Sequence, residues 1–488
     1  MAWLSSFFHP NLPCLPKSAT KPKQNARPIH TLRNLFTIFT HGIVRYWGLQ
    51  CLYRASGQHH VCTEIAKTTQ QQQKQQQKSR SMMASLSKPL WRSLFLVALC
   101  TVSLQTLAAR DDDADDEMDE VTAEELQMQE IPVDERIFVE TWNQVPYKKS
   151  YFTYTDQQIR DKWDYLMRGL KVPYPSAQYM SVQFEKYPFM KDGIDNWNGD
   201  YAELEKRYLA VWRMFFSGDF QKAREEGMKL GPMGEIPALF SQLMYAIYLT
   251  ERQSIKYMML QDVANRAEDY FDVMKEAEDD PEVAPIVASV KLGYAYAIAR
   301  IAEESPVPIV VARRYIGKIK NSAEEVVEIM PEQPLAHAFR AGVDAGIMRR
   351  VGKFTGRMTY GARTTTVEES FSDALELAPD IPIVNYEYAN ALIYMNRKRD
   401  LNEAISYLEK AMKIRPEFSM DALDVMYSYK RLQEVRLYAL NFRSFRKFEK
   451  LRRKFSKKTD RNLTSVLTDP LTMDMLNNPE NYVLPERK

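Results

Sequence analysis

The sequence predicts an all-α protein, and three observations support that fold class. Between residues 200 and 435, apolar residues recur at the three- and four-residue spacing of helices. The breaks between these patterns are short, and most are rich in Pro, Gly, Asp or Asn, which end helices and form turns. No run of alternating apolar and polar residues is convincing as a strand. Because short links place consecutive helices antiparallel, we expect paired helices.

The predicted helices follow one another closely along this part of the chain. They cover 200–216, 221–230, 236–250, 255–277, 281–302, 309–329, 335–351, 367–377, 384–394, 401–414 and 420–435. Each has one apolar face, which must be buried against a neighbour.

The N-terminal segment 1–109 differs in character from the rest of the chain. It holds 13 basic residues and one acidic residue, all four cysteines, and five of the six histidines. Residues 1–81 have no sustained amphipathic period and include the Gln-rich tract 70–77. Such low complexity cannot bury enough apolar surface to offset the entropy of ordering. We therefore expect 1–81 to be disordered, or a spurious extension of the reading frame.

Residues 82–109 have the layout of a secretory signal peptide. Lys88 and Arg92 precede an uncharged, mostly apolar stretch over 93–107, and small residues near Ala108 suit cleavage. Since a signal peptide begins near the N-terminus, we expect translation to start at residue 82 or 83. The protein is then exported to the periplasm or cell envelope, after cleavage near Ala108.

Two alternatives to a cleaved signal remain open at this segment. An internal membrane anchor needs about 20 apolar residues, and 93–109 is short for that. A lipoprotein would be modified at Cys100, but Leu99 stands where a small residue is expected.

The chain from residue 110 onward excludes several kinds of site. It has no cysteine and one histidine, His337, which excludes a disulfide scaffold, a Cys nucleophile, an iron–sulfur cluster and a Cys/His zinc site. Its 53 basic and 63 acidic residues make it a poor general binder of nucleic acid. The dense acidic run within 110–135 predicts a solvated linker. We expect no cofactor, no metal and no catalytic residues.

The segment 136–199 is rich in aromatic residues. Thr155 and Gln158 have the spacing of a capping box at the start of a helix. The residues that follow on one face of that helix are Ile159, Trp163, Met167 and Leu170. Aromatic stripes can stack on sugars, but packing inside a helical domain is the more common use, and we expect packing here.

A repeat runs through the helical part. Three sets of residues share spacings of 4, 3 and 5: Ile319, Ala323, Val326 and Pro331; Val367, Phe371, Ala374 and Pro379; and Ala404, Leu408, Ala411 and Pro416. The first three members of each set lie on one helical face, and the proline stops the helix. The prolines are 48 and 37 residues apart, which is typical of helical solenoids apart from one insertion.

This spacing resembles the second helix of a tetratricopeptide repeat (TPR), whose pattern is Ala, Phe, Ala and Pro. The match is specific across 367–416, moderate across 309–366 and weak across 200–308, and the first-helix pattern is degenerate. The segment RRVGKFTGRMTYGAR (349–363) is also similar to a loop in uncharacterised exported bacterial TPR-like proteins. The resemblance implies a TPR-like α-solenoid of antiparallel helix pairs over 200–435. It also implies a concave surface that binds a peptide or protein, without catalytic residues.

Two basic clusters lie one repeat apart. The insertion 349–366 contains three glycines and no acid. The basic residues of the two clusters are Arg313, Arg314, Lys318, Lys320, Arg349, Arg350, Lys353, Arg357 and Arg363. Clustered guanidinium groups bind carboxylate or phosphate, so the clusters are either a site for a small anion or acidic peptide along one groove, or a solvated loop paired with nearby acids.

The C-terminal part is predicted to contain a basic amphipathic helix over 436–461, followed by a tail over 462–488. Such a helix either caps the end of the solenoid or makes peripheral contact with an anionic membrane.

Acidic and amide residues within 192–203 suggest a calcium loop. Ile194 and Trp197, however, stand where that loop needs an oxygen ligand and a glycine. We expect Asn198 or Asp200 to cap a helix instead.

Together these features predict a non-catalytic exported scaffold or adaptor that binds a protein or peptide partner in the cell envelope. The alternative is an extracytoplasmic receptor for a small anionic ligand at the basic loop 349–363. A closed pocket with converging Arg and Lys side chains would favour the receptor.

Overall fold

Helices make up most of the chain that the structure describes. The computed structural model describes residues 133–485 apart from 396–400, 443–444 and 470. Within these ranges there is no β-strand, and two isolated bridges join Ile194 to Leu230 and Arg252 to Arg461. The predicted all-α class is therefore confirmed for this part. The predictions for 1–81, for 82–109 and for the acidic linker up to residue 132 fall outside the described residues.

The described helices are numbered α1 to α18 in chain order. They are α1 (Arg136–Val139), α2 (Asp156–Leu166), α3 (Ala177–Lys186), α4 (Tyr201–Ser217), α5 (Phe220–Gly227), α6 (Glu235–Met244), α7 (Gln253–Met274), α8 (Ala284–Glu304), α9 (Val307–Ala312), α10 (Tyr315–Ile329), α11 (Pro334–Val351), α12 (Lys353–Tyr360), α13 (Thr364–Leu377), α14 (Pro382–Met395), α15 (Asn402–Lys413), α16 (Ser419–Asn441), α17 (Phe445–Thr459) and α18 (Met473–Asn477). A π-helical turn, Tyr245–Leu249, continues α6.

The aromatic segment packs inside the fold. The Thr155 hydroxyl accepts from the backbone nitrogen of Gln158 at 3.2 Å, and Gln158 Oε1 accepts from the backbone nitrogen of Thr155 at 2.9 Å, which confirms the capping box. The four apolar residues that follow on that helical face, Ile159, Trp163, Met167 and Leu170, are all buried. The Trp163 ring meets Trp212 of α4 edge to face, with ring centres 5.6 Å apart.

The repeat positions are buried as expected. The sets Ile319, Ala323 and Val326; Val367, Phe371 and Ala374; and Ala404, Leu408 and Ala411 are all at most 5% exposed. Helices α10, α13 and α15 end two or three residues before Pro331, Pro379 and Pro416. Proline cannot continue a helix because it lacks an N–H and its ring clashes with the preceding turn.

Helices that are neighbours in sequence are also neighbours in space. Helix α8 packs against α7 and α10, α11 packs against α10, α13 and α14, and α15 lies against α14 and α16. One cluster of buried apolar side chains joins α11, α13 and α14, while a larger cluster runs through the rest of the described helices.

The start of α16 lies against the first described segments of the chain. The start of α16 packs against α4. The Tyr154 hydroxyl donates to the carbonyl oxygen of Glu417 at 2.7 Å, and the Tyr147 hydroxyl donates to that of Ser419 at 3.2 Å. Arg168 forms a buried ion pair with Asp421 at 3.0 Å. These contacts join the first described helices to a part of the chain that is distant in sequence.

Two predicted features of the middle region differ from the structure. The helix predicted over 309–329 is two helices, α9 and α10, because Arg314 has a left-handed backbone with φ of 55°. The insertion 349–366, expected as a loop, contains α12. Gly352 and Gly361 flank that helix with φ of 80° and 70°, which glycine adopts without strain.

The C-terminal helix also differs from its predicted bounds. Helix α16 continues to Asn441, the backbone is extended at Phe442, and α17 starts at Phe445. The apolar residues Phe448 and Phe455 of α17 are 0% and 2% exposed, so its apolar face lies in the core.

The segment expected to be a tail begins inside the fold. Asn462 is fully buried, and its side-chain amide donates to the carbonyl oxygens of Ala246, Ile247 and Thr250. The Val466 nitrogen donates to the carbonyl oxygen of Tyr248 at 2.9 Å. These bonds satisfy carbonyl groups at the end of α6 that no helical partner reaches.

Candidate functional site

A cavity of about 200 Å³ lies among α6, α8, α9, α10, α11 and α14, beside the start of α16. Most of its wall is apolar, and the lining residues include Phe240, Leu243, Leu292, Val310, Ile319 and Phe339. An apolar cavity of about 150 Å³ is known to hold benzene, so this space has room for a small organic molecule.

Two glycines of α11 help to leave this space empty. Gly342 and Gly346 are one helical turn apart, and both line the cavity. A Cβ atom added at either position would meet no atom within 4 Å. Glycine costs a helix roughly 0.5–1 kcal/mol relative to Ala, so neither position gains stability from it. Because glycine has no side chain, these two positions leave space in the cavity that a larger residue would fill.

One end of the cavity is polar, and Asp424 of α16 lies there. Asp424 is 1% exposed. Its Oδ1 atom accepts a hydrogen bond of 2.6 Å from the Tyr248 hydroxyl. Its Oδ2 atom is buried and has no hydrogen-bond partner in the described part of the chain. Burial raises the pKa of Asp424 well above its usual value, and this outweighs the hydrogen bond from Tyr248. Burial therefore favours the protonated form of this carboxyl group, which can donate a hydrogen bond as well as accept one.

Arg300 of α8 connects two other carboxylates at this end. It bonds to Glu303 at 3.0 Å, to Glu387 of α14 at 2.6 Å and to the Tyr296 hydroxyl at 2.8 Å. Burial acts to raise the pKa of Glu303, but the guanidinium groups of Arg300 and Arg349 outweigh burial and lower the pKa to about 2. Glu303 exposes 38% of its side chain, and it lines the cavity. Arg300 thus pairs with both glutamates, and Glu303 stays charged.

Arg349 differs from Arg300 because no carboxylate of the described chain lies within ion-pairing distance of it. Its guanidinium lies over the Tyr394 ring, 4.4 Å from the ring centre, and it lines the cavity. Among the described residues no side-chain hydrogen bond is formed by this group. Burial acts to lower the pKa of Arg349, but Tyr394 and the carboxylates of Glu449 and Glu303 raise it, so the group is charged. It is a cation in a largely apolar site with hydrogen-bond donors to spare.

The neighbouring Arg350 has a structural role as well as a place on the cavity wall. It donates to the carbonyl oxygens of Glu303 at 3.0 Å and Ser305 at 2.8 Å. Burial, with the nearby Arg453 and Arg349, lowers the pKa of Arg350 to about 10. These bonds tie the end of α11 to the link between α8 and α9.

A second group of charged side chains supports the residues at the polar end of the cavity. Arg431 of α16 donates to Asn390, which lines the cavity, at 2.8 Å. Arg431 also pairs with Glu434 at 2.8 Å and with Glu449 of α17 at 3.6 Å, and Arg452 of α17 lies 3.6 Å from Glu434. This buried network joins α14, α16 and α17. Because each charge in it is paired, the positions of the groups facing the cavity are well defined.

The structure separates the basic residues predicted to form a site. Arg349 and Arg350 line the cavity, and the other seven do not. Lys318 pairs with Glu268 at 3.0 Å, and Lys320 pairs with Asp344 at 2.8 Å. Asp344 also accepts from the backbone nitrogen of Arg363, so the two clusters meet at one buried carboxylate. Arg314, Arg357 and Arg363 are exposed, while Arg313 and Lys353 are half-buried.

The cavity itself and most of its polar groups were not predicted. Tyr248, Arg300, Glu303, Glu387 and Asp424 come from four elements that are far apart along the chain, and nothing in their local spacing connects them. A signal that could have pointed to the place, and was not used, is the pair Gly342 and Gly346 in the middle of an otherwise good helix pattern.

Other candidate chemistry has structural explanations. Asp200 caps α4 by accepting from the nitrogens of Ala202 and Glu203, which confirms the capping prediction. His337 Nε2 lies 2.7 Å from the carbonyl oxygen of Pro331, at the turn before its own helix. Within the described ranges, no three His, Asp or Glu side chains come together in a way that could hold a metal ion.

Comparisons with family models, with curated proteins and with solved structures find no match for this chain. None of the helices in the described part combines the length and apolar character needed to cross a bilayer.

Proposed function

We propose that this protein is a non-catalytic binding protein for a small organic carboxylate with an apolar body. The apolar part of the ligand occupies the cavity, and its carboxylate contacts Arg349. The observation that carries the proposal is the charged Arg349 side chain, which lines the cavity without a carboxylate or hydrogen-bond partner among the described residues. Arg349 is half-buried, and a cation that is largely withdrawn from water gains from a paired anion, which a ligand would supply.

Asp424 supports the same ligand class. Its Oδ2 atom is unpartnered among the described residues, and its pKa is raised by burial, so the neutral acid can donate to one oxygen of a ligand carboxylate. Apart from Asp424, the ionisable groups that line the cavity are Arg300, Arg349 and Arg350 against Glu303 and Glu387. This excess of one positive charge suits a monovalent anion.

The test is calorimetric titration with straight-chain carboxylates of six to twelve carbons and with their methyl esters. We expect the carboxylates to bind at least tenfold more tightly than the esters. Arg349→Gln should abolish that preference, whereas Arg357→Gln, which removes an exposed arginine outside the cavity, should leave it unchanged. Equal affinity for acids and esters in the wild-type protein would contradict the proposed anion contact.

A second pair of variants tests the cavity itself. Gly346→Leu places a side chain in the empty space and should abolish binding without destabilising the helix. Gly317→Leu is the matched control, because Gly317 is also helical and uncrowded but lies outside the cavity. Ligand binding that survives Gly346→Leu would place the site elsewhere.

The second candidate is the protein-binding adaptor with a TPR-like solenoid of antiparallel pairs. Three helices that end before a proline and bury the same repeat positions favour it. Its test is cross-linking in the native host, with Lys353→Glu and Arg357→Glu as the disrupting pair. Loss of a defined cross-linked partner in this variant supports the adaptor, and an unchanged partner places the contact on another surface.

We also propose that the protein acts in the periplasm or cell envelope. The layout of residues 82–109 supports export. N-terminal sequencing of the protein from its native host tests this, since cleavage near Ala108 gives a mature chain that starts at Ala109 or Arg110. A chain that retains 82–109 would instead be anchored.

A further inference from the structure

Helix α12 presents an unusual surface. Phe354 and Met358 lie one turn apart on it and are 76% and 70% exposed. Residues spaced by four share one face of a helix, so the two side chains point outward together. The residue that α12 buries is Gly356, which faces Ile347 and Met348 of α11. The apolar side chains of this short helix are thus directed away from the core.

The surroundings of α12 are basic. No acidic residue occurs from 345 to 367 or from 305 to 323. Arg314, Lys353, Arg357 and Arg363 have no ion pair among the described residues. The two segments are adjacent, because Lys320 of one and the backbone of Arg363 of the other both bond to Asp344.

This basic, apolar surface borders the cavity. Val351 and Tyr360, at the two ends of the α12 segment, line the cavity. Val307 and Val311 of α9 also line it and are 46% and 56% exposed, so the wall of the cavity reaches the surface at α9. The bonds from Arg350 to Glu303 and Ser305 keep α9 beside the start of α12.

We propose that α12 and α9 dock the protein on an anionic lipid bilayer. Phe354 and Met358 enter the interfacial region of the bilayer, while Lys353, Arg357 and Arg363 contact lipid phosphates. Apolar side chains flanked by cations, without an acid, are the pattern that binds at such interfaces. Each basic residue near an anionic surface adds to the attraction, and the contribution falls with ionic strength. An acidic protein would complement the charges but would leave Phe354 and Met358 without the apolar medium that a bilayer supplies.

Co-flotation of the full-length protein with phosphatidylcholine vesicles that contain increasing fractions of phosphatidylglycerol, starting from none, tests the proposal. We expect the bound fraction to rise with the phosphatidylglycerol content and to fall when salt is raised tenfold. Phe354→Ser with Met358→Ser should reduce binding at least tenfold without lowering the melting temperature, because both side chains are exposed. Val139→Ser is the matched control, since Val139 is 85% exposed on α1, away from the cavity.

Two further variants decide between outcomes. Lys454→Glu with Lys458→Glu changes the basic face of α17. Loss of binding there, with normal binding by the α12 variant, would overturn the proposal and place the membrane contact on the C-terminal helix. Gly346→Leu should bind vesicles normally, which keeps this test independent of ligand binding in the cavity. Equal binding to vesicles with and without phosphatidylglycerol would also overturn the proposal.

Discussion

The hydroxyl group of Tyr248 donates to Oδ1 of Asp424 over 2.6 Å, and it does so at the polar end of an otherwise apolar cavity. Tyr248 belongs to the π-helical turn after α6, and Asp424 belongs to α16, 176 residues later. The bond therefore joins two distant parts of the chain at the candidate site. It also leaves the other oxygen of Asp424 facing a space that a ligand can enter.

The first prediction concerns the pH dependence that Asp424 confers on stability. Because burial raises its pKa, the folded protein binds a proton that the unfolded chain releases above about pH 4. The contribution of Asp424 to the free energy of unfolding should therefore fall as pH rises from about 4. Asp424→Asn imitates the neutral acid, keeps an acceptor for Tyr248 and should lack this dependence. Urea unfolding between pH 4 and 8 measures this dependence, and parallel profiles for the two proteins would count against a protonated Asp424.

Asp424→Ala leaves the Tyr248 hydroxyl without its partner, so the free energy of unfolding should fall by roughly 1–3 kcal/mol.

The second prediction concerns Arg300. Arg300→Met leaves Glu303 and Glu387 without their shared cation and should cost about 3–5 kcal/mol at pH 7. In the wild type, Glu303 has a pKa lowered to about 2, so its contribution is present above about pH 4.5 and is lost as pH falls toward 2. The variant should recover part of its deficit on acidification, because its unpaired glutamates can be protonated. Guanidinium titrations at pH 3, 5 and 7 measure this, and a deficit independent of pH would show that the charges are not coupled. If Arg300→Met does not fold, the same titrations can be made on Glu387→Gln, which is a milder change.

The third prediction uses Lys256, which is 2% exposed and donates to the Thr464 hydroxyl at 3.0 Å. Burial lowers the pKa of Lys256 to about 8, and the carboxylates of Glu304 and Glu303 only partly oppose this. Between pH 8 and about 10.5 the unfolded chain binds a proton that the folded protein does not, so Lys256 makes stability rise with pH in that window. Relative to Lys256→Met, the wild type should gain about 3 kcal/mol between pH 8 and 10.5 and nothing between pH 6 and 7. A constant difference across the range would mean that Lys256 remains charged and well solvated in the folded protein.

The fourth prediction contrasts two glycines. Gly218 ends α4 with φ of 88°, and a Cβ atom there would lie 2.7 Å from the Ser419 hydroxyl oxygen and from a methyl carbon of Val145. Gly218→Ala should therefore destabilise the protein by more than about 1 kcal/mol. Gly317→Ala, within α10 and with free space around it, should instead stabilise it by roughly 0.5–1 kcal/mol. Thermal unfolding of the two variants compares them directly, and a neutral Gly218→Ala would mean that α4 and α16 can move apart at little cost.

Much of the fold could be predicted from the sequence because local patterns determine it. The capping box at Thr155 and the buried faces of α10, α13 and α15 follow from residue spacing alone, and the structure has them as expected. The ends of these helices follow from Pro331, Pro379 and Pro416. The break at Arg314 had no such signal, since arginine ordinarily continues a helix.

The candidate site was harder to predict because contacts distant in sequence create it. Spacing identified Arg349 as part of a basic cluster, but it could not tell that Arg349 faces inward while Arg357 faces solvent. The raised pKa of Asp424 depends on its burial among helices that are distant from one another in sequence. The charge pattern of 349–363 was therefore informative. Which of its residues face the cavity and which face solvent could be learned only from the tertiary structure.

The bonds from Asn462 to Ala246, Ile247 and Thr250 have a consequence for the order of events in synthesis. The carbonyl groups at the end of α6 emerge from the ribosome long before the amide that satisfies them. The carbonyl groups that accept hydrogen bonds from Tyr147 and Tyr154 belong to Ser419 and Glu417, which are also made late. The contacts that complete the first half of the chain are therefore available only after residues 417–462 have been made.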